Sequence, residues 1–365
     1  MPRPSLIDVD LDAIRHNVAA IGEFVAPARV CVVVKADGYG HGAAAAASAA
    51  AAGGADWLAV ALAAEGAELR SAGIDTPILL LSEPSEPELR LAAEADLTPT
   101  LYSPVGVDRA ASIRPGWRVQ IKVDTGMHRV GVSPEGAVEL ARRARDAGLD
   151  LGGVFTHLAL ADEPDRSENA LQLDRFDAVL DALRTAGIDP GLRHAANSAG
   201  ALHLCRAHYD LVRVGLAAYG VAPAAHRPPV ELRAALRLRS RVSFLNRVPP
   251  GEGVSYGWHR VVDRPTDVAV VPVGYADGVP RNLGLTGGEV LVGGRRRPIL
   301  GVVTMDQFMV DVTGDPSVAV GDEVVLLGRQ GDECVTPSEW ADRLGTIPYE
   351  ILVGFGSRMA RTYPS

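Results

Sequence analysis

At 365 residues the chain is longer than one average domain, which favours one large domain with a smaller one, or two of similar size. Its net charge is −9 and no long basic block occurs, which argues against a general affinity for nucleic acid. Cys31, Cys205 and Cys334 are isolated, so they indicate neither a metal site nor a disulfide framework, and a reducing compartment fits best. The first residues carry carboxylates where a signal peptide needs an apolar run, and no stretch approaches the roughly 20 apolar residues of a membrane span. We therefore expect a cytoplasmic protein that binds neither nucleic acid nor membrane.

Short apolar segments alternate with helical patterns through residue 235, as is typical of parallel strands joined by crossover helices. Eight strands are predicted, at VCVVV (30), DWLAV (56), PILLL (77), DLTPTLY (96), WRVQIKV (117), LDLGGVFTH (149), GLRHAAN (191) and DLVRVG (210). Helices are predicted in the alanine run Ala43 to Ala52 and in PEGAVELARRARDAG from Pro134. Together these units predict an α/β fold of the TIM-type (β/α)8 barrel class over residues 1–235, with an open doubly wound sheet as the alternative.

A second, mainly-β domain is predicted over residues 236–365. Its segments LRLRSRVSFLNRV, DVAVVPVGYADG, GEVLVGGRRRPILGVV and EVVLLGR are short and are separated by Gly-Gly, Pro-Gly and Asp-Gly turns. One helix is predicted at TPSEWADRLG, because Thr336 and Glu339 have the spacing of a capping box and Pro337 stands at the first helical position.

Polar side chains follow several of the predicted barrel strands, at the carboxyl ends where barrel enzymes have their active sites. Taken singly, each of these residues is more often structural or salt-bridged. Their recurrence at the same end of five strands predicts that they converge on one pocket. The polar side chains are those of Lys35, Lys122, Asp124, Arg129, His157, Asn197, Ser198 and Arg213, and Gly215 follows the eighth strand beside them in the sequence.

Lys35 ends a segment that has the composition of a buried strand. Desolvation lowers the pKa of a lysine, and a neutral amine can form a Schiff base with a carbonyl, which suggests pyridoxal phosphate with Lys35 as its anchor. Barrel phosphate sites usually lie after strands seven and eight, where backbone N–H groups and a helix N-terminus would face the anion. Those loops contain Asn197, Ser198, Gly200, Gly215 and Leu216.

A series of motifs in this chain resembles that of the bacterial alanine racemases, in the same order and over nearly the whole length. The motifs are VVKADGYGHG, IKVDTGMHRVG, FTHLALAD, HAANSAG, VRVGLAAYG, VSYGW, VGYADGVPR and TMDQFMVDV. The resemblance implies a pyridoxal-phosphate-dependent isomerase with an N-terminal barrel and a C-terminal β domain. It also implies a homodimer with shared active sites that supplies D-alanine for peptidoglycan synthesis.

Two catalytic bases are implied by the resemblance, one on each face of the aldimine that the substrate forms with the cofactor. Lys35 would act on the α-proton of the D-enantiomer, and Tyr256 of the other subunit on that of the L-enantiomer. His157 would hydrogen-bond this tyrosine, which is a poor base unless its phenolate is stabilised. Arg213 would lie behind His157 and face the pyridine nitrogen.

The remaining site residues are also carried over from the resemblance. Cofactor contacts are implied for Tyr39, His157, Asn197, Ser198, Arg213, Gly215 and Leu216. The substrate carboxylate would be bound by Arg129 and by the backbone of the partner subunit's Met305, while Lys122, at a position that is often carbamylated, would orient Arg129. Tyr275 and Asp306 would border the substrate entrance. No metal is implied.

Two positions depart from the family pattern. Thr304 stands where a cysteine is common beside the substrate carboxylate, and Ser357 where many relatives have a tyrosine that reaches the phosphate. Both bear on substrate range and cofactor affinity. Three alternatives stay open: a racemase of serine or a larger amino acid, a decarboxylase of the same architecture, and a non-catalytic pyridoxal-phosphate carrier.

Overall fold

The computed structural model describes residues 4–223 and 226–364. Its contacts divide the chain into two compact units. One unit is Asp12–Arg233, and the other joins the described residues up to Leu11 to those from Ala234 onward. The sequence-based division assigned the first eleven residues to the barrel instead, because the pairing partner of a short N-terminal strand cannot be deduced from the strand itself.

The first unit contains eight parallel strands within its described residues, one at each of the eight predicted positions. They are Arg29–Val33, Trp57–Val60, Ile78–Leu80, Thr100–Leu101, Arg118–Lys122, Asp150–Phe155, Leu192–His194 and Leu211–Val214. Parallel ladders join them into two groups of four. Backbone hydrogen bonds close both remaining gaps, from Thr98 to Ile78 (2.8 Å) and from Arg213 to Ala196 (3.0 Å). The predicted TIM-type barrel is confirmed.

Helices alternate with these strands. They are Leu11–Val25, Ala43–Ala52, Ala63–Ser71, Glu86–Glu94, Pro104–Ile113, Ala137–Asp146, Ser167–Thr185 and Ser198–His203. Helix Ala137–Asp146 follows the predicted pattern, since Leu140, Ala141 and Ala144 are buried while its arginines are exposed. Short 3₁₀ turns cover Pro134–Gly136, Cys205–Ala207 and Leu216–Tyr219.

The second unit is mainly β, as predicted, with most of its strands in antiparallel pairs. Its strands are Leu6–Val9, Leu236–Arg241, Phe244–Val248, Gly253–Val254, Arg260–Val261, Thr266–Val271, Glu289–Val292, Arg295–Leu300, Phe308–Asp311, Glu323–Gln330, Glu333–Val335 and Ala360–Thr362. Its helices are Pro337–Leu344 and Pro348–Val353, and 3₁₀ turns cover Tyr256–Trp258 and Tyr275–Asp277.

Strand Leu6–Val9 pairs antiparallel with Leu236–Arg241 and parallel with Ala360–Thr362. Asp8 fixes this arrangement by accepting hydrogen bonds from Arg239 (2.5 Å) and Thr362 (2.6 Å). The chain thus begins in the β unit, forms the barrel and returns to the β unit.

The predicted late helix is confirmed as Pro337–Leu344. The Thr336 hydroxyl accepts a hydrogen bond from the Glu339 N–H (3.1 Å), and the Glu339 carboxylate accepts one from the Thr336 N–H (3.3 Å). This is the reciprocal capping box that the spacing indicated. None of the helices in the described residues is both long and apolar enough to cross a bilayer.

Candidate active site

Lys35 begins a single turn of left-handed helix at the carboxyl end of strand Arg29–Val33. The φ angles of Ala36, Asp37, Gly38 and Tyr39 are 51°, 54°, 61° and 54°. A left-handed turn is unfavourable for residues other than glycine, and such strain clusters at functional sites where surrounding contacts maintain it. The periodicity of the sequence carries no signal for this turn, although the glycines of KADGYGHG permit it.

The Lys35 amine lies where its charge is disfavoured. Burial lowers its pKa, and the positive charge of Arg129 lowers it further, while Glu65 acts in the opposite direction. A larger fraction of Lys35 is therefore neutral at a given pH than of a lysine in water. A neutral amine at this position can act as a nucleophile or accept a proton.

Lys122 ends the fifth barrel strand with only 5% of its surface exposed. Burial, together with the charges of Arg129 and Arg213, lowers its pKa to about 8. Lys35 and Lys122 are the only lysines among the 36 lysines and arginines of the chain. Both lysines of the chain lie at the carboxyl ends of barrel strands. The scarcity of lysine in this arginine-rich chain is a compositional signal that could have pointed to this pocket.

Asp124 organises the loop that carries Arg129. Its Oδ1 accepts hydrogen bonds from the backbone N–H groups of Gly126, Met127 and His128, each 3.0 Å long. These bonds contribute to holding the pKa of the Asp124 carboxyl below its usual value. Arg129 follows this loop, and its charge influences both lysines and His157.

Arg213 lies at the centre of a buried hydrogen-bond network inside the barrel, with 3% of its surface exposed. Its Nη2 donates to the carbonyls of Thr156 (2.8 Å) and Ala195 (3.1 Å) and to Nδ1 of His157 (3.1 Å). Burial lowers the pKa of Arg213 to about 10, so the side chain remains charged at neutral pH. None of the described residues accepts a hydrogen bond from Nε of Arg213. This N–H is therefore available to a ligand.

His157 and His194 are both fixed as neutral rings by this network. Because arginine can only donate, Nδ1 of each histidine accepts from Arg213, at 3.1 Å and 2.7 Å, and each Nε2 carries the proton. Burial and the charge of Arg213 place the pKa of both histidines well below the usual value. The proton on His157 Nε2 is thus available to a hydrogen-bond acceptor.

His194 and Gln120 were missed by the sequence reasoning. Nε2 of His194 donates to Oε1 of Gln120 (2.7 Å), and the imidazole stacks on Phe155 with ring centroids 4.7 Å apart. Gln120 and His194 lie inside two strands that were predicted from their apolar residues. Only the folded barrel shows that His194 bonds both Gln120 and Arg213.

Ser198 and Gly215 meet after the seventh and eighth strands. The Ser198 hydroxyl accepts hydrogen bonds from the N–H groups of Gly215 (2.9 Å) and Ala217 (3.3 Å), and Asn197 caps the helix by accepting from the Gly200 N–H (2.9 Å). Of the two backbone donors predicted for this loop, the Gly215 N–H is thus bonded to Ser198 in the structure.

Gly215 also makes room for Tyr39. A Cβ at Gly215 would lie 2.4 Å from the Tyr39 hydroxyl oxygen, so a larger residue would displace that hydroxyl. Tyr39, Ser198, Gly215 and Leu216 are all buried. The structure therefore brings together four residues for which phosphate contacts were predicted.

The other predicted residues lie in the β unit. Tyr256 is 71% exposed in a 3₁₀ turn that includes Trp258, and it borders a depression that is also lined by Thr304 and Gln307. The Thr304–Gln307 turn is closed by a hydrogen bond from the Thr304 hydroxyl to the Gln307 carbonyl (2.8 Å). Met305, in the same turn, is 53% exposed.

Tyr275 and Asp306 are linked to this turn. The Tyr275 N–H donates to the Thr304 carbonyl (3.0 Å), and Asp306 accepts from Nη2 of Arg358 (2.6 Å). Ser357 lies on the surface next to Arg358. The β unit therefore presents its predicted site residues on exposed loops.

Comparison with known proteins identifies the family. Residues 9–223 match the family described as "Alanine racemase, N-terminal domain", and residues 235–363 match "Alanine racemase, C-terminal domain". The chain belongs to the alanine racemase family. These are pyridoxal-phosphate-dependent isomerases, so the chain is an enzyme of that class. The resemblance found in the sequence motifs is confirmed.

Curated relatives and solved structures match the chain over almost its whole length. The alanine racemase of Symbiobacterium thermophilum is 45% identical over 99% of this chain and 97% of its own, and that of Thermobifida fusca is 46% identical over 97% and 96%. The structure of the alanine racemase from E. faecalis has a TM-score of 0.93 with 37% identity, covering 99% of this chain and 98% of its own. That from Streptomyces coelicolor A3(2) has a TM-score of 0.91 with 38% identity over the same shares.

Proposed function

We propose that the chain interconverts L-alanine and D-alanine with pyridoxal phosphate as its cofactor. The observation that carries this proposal is the position of Lys35, an amine of lowered pKa at the same barrel mouth as the buried guanidinium of Arg213. Family membership over both domains supports alanine as the substrate. A racemase of serine or a larger amino acid remains the alternative, because Thr304 lies on the surface depression beside Tyr256.

The residues of the barrel fit this cofactor. Lys35 would supply the amine that binds its aldehyde. The hydroxyls of Tyr39 and Ser198 and the backbone at Gly215 and Leu216 would form a phosphate cradle, in which the Tyr39 hydroxyl occupies the space that a Cβ at Gly215 would need. Asn197 keeps the helix start beside this cradle in position. When bound, the cofactor withdraws electrons from the substrate's α-carbon and so acidifies its α-proton.

Arg213 would set the electronic character of the bound cofactor. A guanidinium can only donate, so Arg213 would hold the pyridine nitrogen of the bound cofactor as an acceptor without a proton. Its pKa of about 10 keeps this donor charged at neutral pH. By keeping this nitrogen unprotonated, Arg213 would reduce the electron withdrawal that the cofactor supplies, which would favour prompt return of the proton over side reactions such as transamination.

Two side chains would exchange the α-proton on opposite faces of the substrate. Lys35 would serve the D-enantiomer, since its lowered pKa increases the fraction of neutral amine that can accept a proton. The partner subunit's Tyr256 serves the L-enantiomer. A proton on His157 Nε2 is available for a hydrogen bond to the phenolate, because Arg213 occupies the other ring nitrogen.

The substrate carboxylate would be held by Arg129 and by the backbone of the partner subunit's Met305. Lys122 orients Arg129, and its pKa of about 8 leaves part of the amine neutral and able to react with carbon dioxide. Tyr275 and Asp306 border the entrance. The exposure of Tyr256, Trp258 and Met305 in a single chain supports a homodimer in which each β domain completes the partner's site.

This function would place the chain in the cytoplasm, where D-alanine is required for peptidoglycan synthesis. The decisive experiment measures the rates of L-to-D and D-to-L conversion of alanine by purified protein with pyridoxal phosphate. Serine and lysine are run alongside as substrates, carbon dioxide release is monitored, and Lys35→Ala is the control. Rapid conversion of alanine in both directions, lost in the control, is the expected result.

Other outcomes separate the alternatives. Activity confined to serine or lysine would be consistent with the two bases. Thr304 and the residues at the substrate entrance would then be examined as the source of specificity. Carbon dioxide release without racemisation would indicate a decarboxylase. A coloured complex without turnover of any amino acid would indicate a cofactor carrier.

A further inference from the structure

Glu65 links the left-handed turn after Lys35 to the neighbouring helix. Its Oε1 accepts a hydrogen bond from the Ala36 N–H (2.7 Å), and its Oε2 accepts from the N–H groups of Ala61 (2.8 Å) and Leu62 (3.1 Å). One carboxylate therefore binds three backbone donors from two loops. Two of these donors are at the start of its own helix, Ala63–Ser71, as in a capping box.

The Ala36 N–H lies at the start of the left-handed turn, where the turn itself offers no acceptor. Later N–H groups are bonded within the segment, from Gly38 to the Val34 carbonyl (2.9 Å) and from Gly40 to the Ala36 carbonyl (3.0 Å). The first donors of any helical turn need an acceptor from elsewhere. Since Ala36 and Asp37 adopt an unfavourable conformation, such an external bond stabilises the turn against relaxation.

We propose that Glu65 is a positioning residue for Lys35, and that it acts by fastening the left-handed turn to the start of the neighbouring helix. The residue that Glu65 bonds is the immediate neighbour of Lys35, so loss of the bond frees the backbone that orients the amine. The inference rests on the proposed function only in giving Lys35 the role of cofactor anchor.

The charge of Glu65 has a second consequence that can be measured. The carboxylate opposes the effects of burial and of Arg129 on the Lys35 amine. The other charged or titratable groups that interact with this amine are Lys122 and His157. Removal of the carboxylate is therefore expected to lower the pKa of Lys35, an effect that a purely structural helix cap would not have.

Glu83 provides a matched control within the same barrel. Its Oε2 accepts hydrogen bonds from the backbone N–H groups of Tyr102 (2.6 Å) and Ser103 (2.8 Å), so it also fastens the loop of the next strand. It is half-buried, as Glu65 is. Glu83 differs in that no lysine adjoins the backbone it binds.

The experiment compares Glu65→Gln, Glu65→Ala, Glu83→Gln and Glu83→Ala with the unmodified full chain. Amide hydrogen exchange reports on the Ala36 N–H in the cofactor-free protein. Pulsed acetylation across a pH series, read by mass spectrometry, reports the pKa of Lys35, with Lys122 as the second labelled amine because the chain has only these two lysines. Thermal unfolding and the rate of coloured complex formation with pyridoxal phosphate are measured on the same samples.

In Glu65→Ala, exchange at Ala36 is expected to accelerate about tenfold or more, as for loss of a hydrogen bond to a charged group. Acetylation of Lys35 should then begin at lower pH, and complex formation should slow about tenfold. Glu65→Gln retains one acceptor oxygen without the charge, so it should shift the Lys35 titration with a smaller change in exchange. Both Glu83 variants should leave these three properties unchanged, whatever they do to thermal stability.

Unchanged exchange at Ala36 and an unchanged Lys35 titration in folded Glu65→Ala would overturn the proposal, as would equal effects from the Glu83 variants. Failure of the unmodified chain to form a coloured complex would instead contradict the proposed function. In that case, the exchange and acetylation results would still decide whether Glu65 positions Lys35.

Discussion

The two parts of the candidate site differ in how their side chains are held. At the barrel mouth, Arg213 is 3% exposed and both of its terminal nitrogens are hydrogen-bonded, while in the β unit Tyr256 is 71% exposed on a short turn. The barrel residues are thus oriented by their own chain before any ligand binds. The β-unit residues are exposed in the single chain, as expected if a partner subunit receives them.

This difference relates burial to chemical role. Burial inside the barrel lowers the pKa values of Lys35, Lys122 and His157, and neighbouring positive charges act in the same direction. Burial in the barrel therefore increases the neutral fraction of all three groups. The β unit presents exposed side chains, and the proposed dimer would complete their surroundings.

The largest effect is expected at the anchor of the barrel half. Lys35→Ala removes both the cofactor's attachment and one base, so racemisation should fall by at least about 10⁴-fold, the upper range for a general base. The measurement is alanine racemisation together with the absorbance of bound pyridoxal phosphate. Retention of a covalent complex in this variant would contradict the assignment of Lys35.

The β-unit half is tested by Tyr256→Phe, which removes one hydroxyl from an exposed ring. Exchange of the L-alanine α-proton into deuterated solvent should fall about 10² to 10⁴-fold, with a far smaller loss for D-alanine. Proton exchange of each enantiomer is followed separately by NMR, and Tyr363→Phe serves as an exposed tyrosine control. Equal losses for both enantiomers would be incompatible with two bases.

Arg213→Gln tests the internal support of the barrel half. It leaves the Thr156 and Ala195 carbonyls and the Nδ1 atoms of two histidines without their donor, so the free energy of unfolding should fall by at least about 3 kcal/mol. Urea unfolding measures this change.

The matched control for that variant is Arg193→Gln. Arg193 forms a partly exposed pair with Asp210 (2.6 Å), and its loss should cost about 1 kcal/mol or less. If the two substitutions had equal effects, the Arg213 network would be no more stabilising than a surface ion pair.

Among the variants of candidate site residues, the smallest effect is expected for Lys122→Met in cofactor-free, bicarbonate-free protein. The pKa of Lys122 is lowered from 10.5 to about 8 on folding, so protonation favours the unfolded chain. The buried charge lowers the free energy of unfolding by its full amount below pH 8. This loss disappears as the pH rises toward 10.5, where the amine is neutral in both states. The variant should therefore gain roughly 2 kcal/mol of unfolding free energy at pH 7 and much less at pH 10.

Urea unfolding at pH 7 and pH 10 measures this difference for Lys122→Met and for the unmodified chain. Equal changes at the two pH values would mean that the charge of Lys122 is not the source of the gain.

Much of the fold could be predicted because it depends on local patterns. The eight barrel strands were found from apolar segments bounded by turn residues, and the capping box at Thr336 predicted the start of a late helix. Strand Leu6–Val9 was missed because its pairing partners are more than 200 residues away in the chain. Local pattern contains no information about such pairing.

Sequence motif and side-chain chemistry together selected Lys35 and Arg213 as candidate site residues, and the structure places both at carboxyl ends of barrel strands. Glu65 and His194 were not predicted, because each acts through a neighbour that is remote in sequence. The Ala36 N–H lies 29 residues from Glu65, and the Arg213 guanidinium lies 19 residues from His194. Proximity of this kind arises only when parallel strands bring their ends together.

Composition, spacing and motif in the sequence were enough to predict the positions of the eight barrel strands, the family and the residue types available for chemistry. Tertiary structure decided the left-handed turn at Lys35, the neutral tautomers of His157 and His194 and the lowered pKa values. These properties depend on burial and on the direction of hydrogen bonds between strand ends. Both are fixed only when the barrel closes.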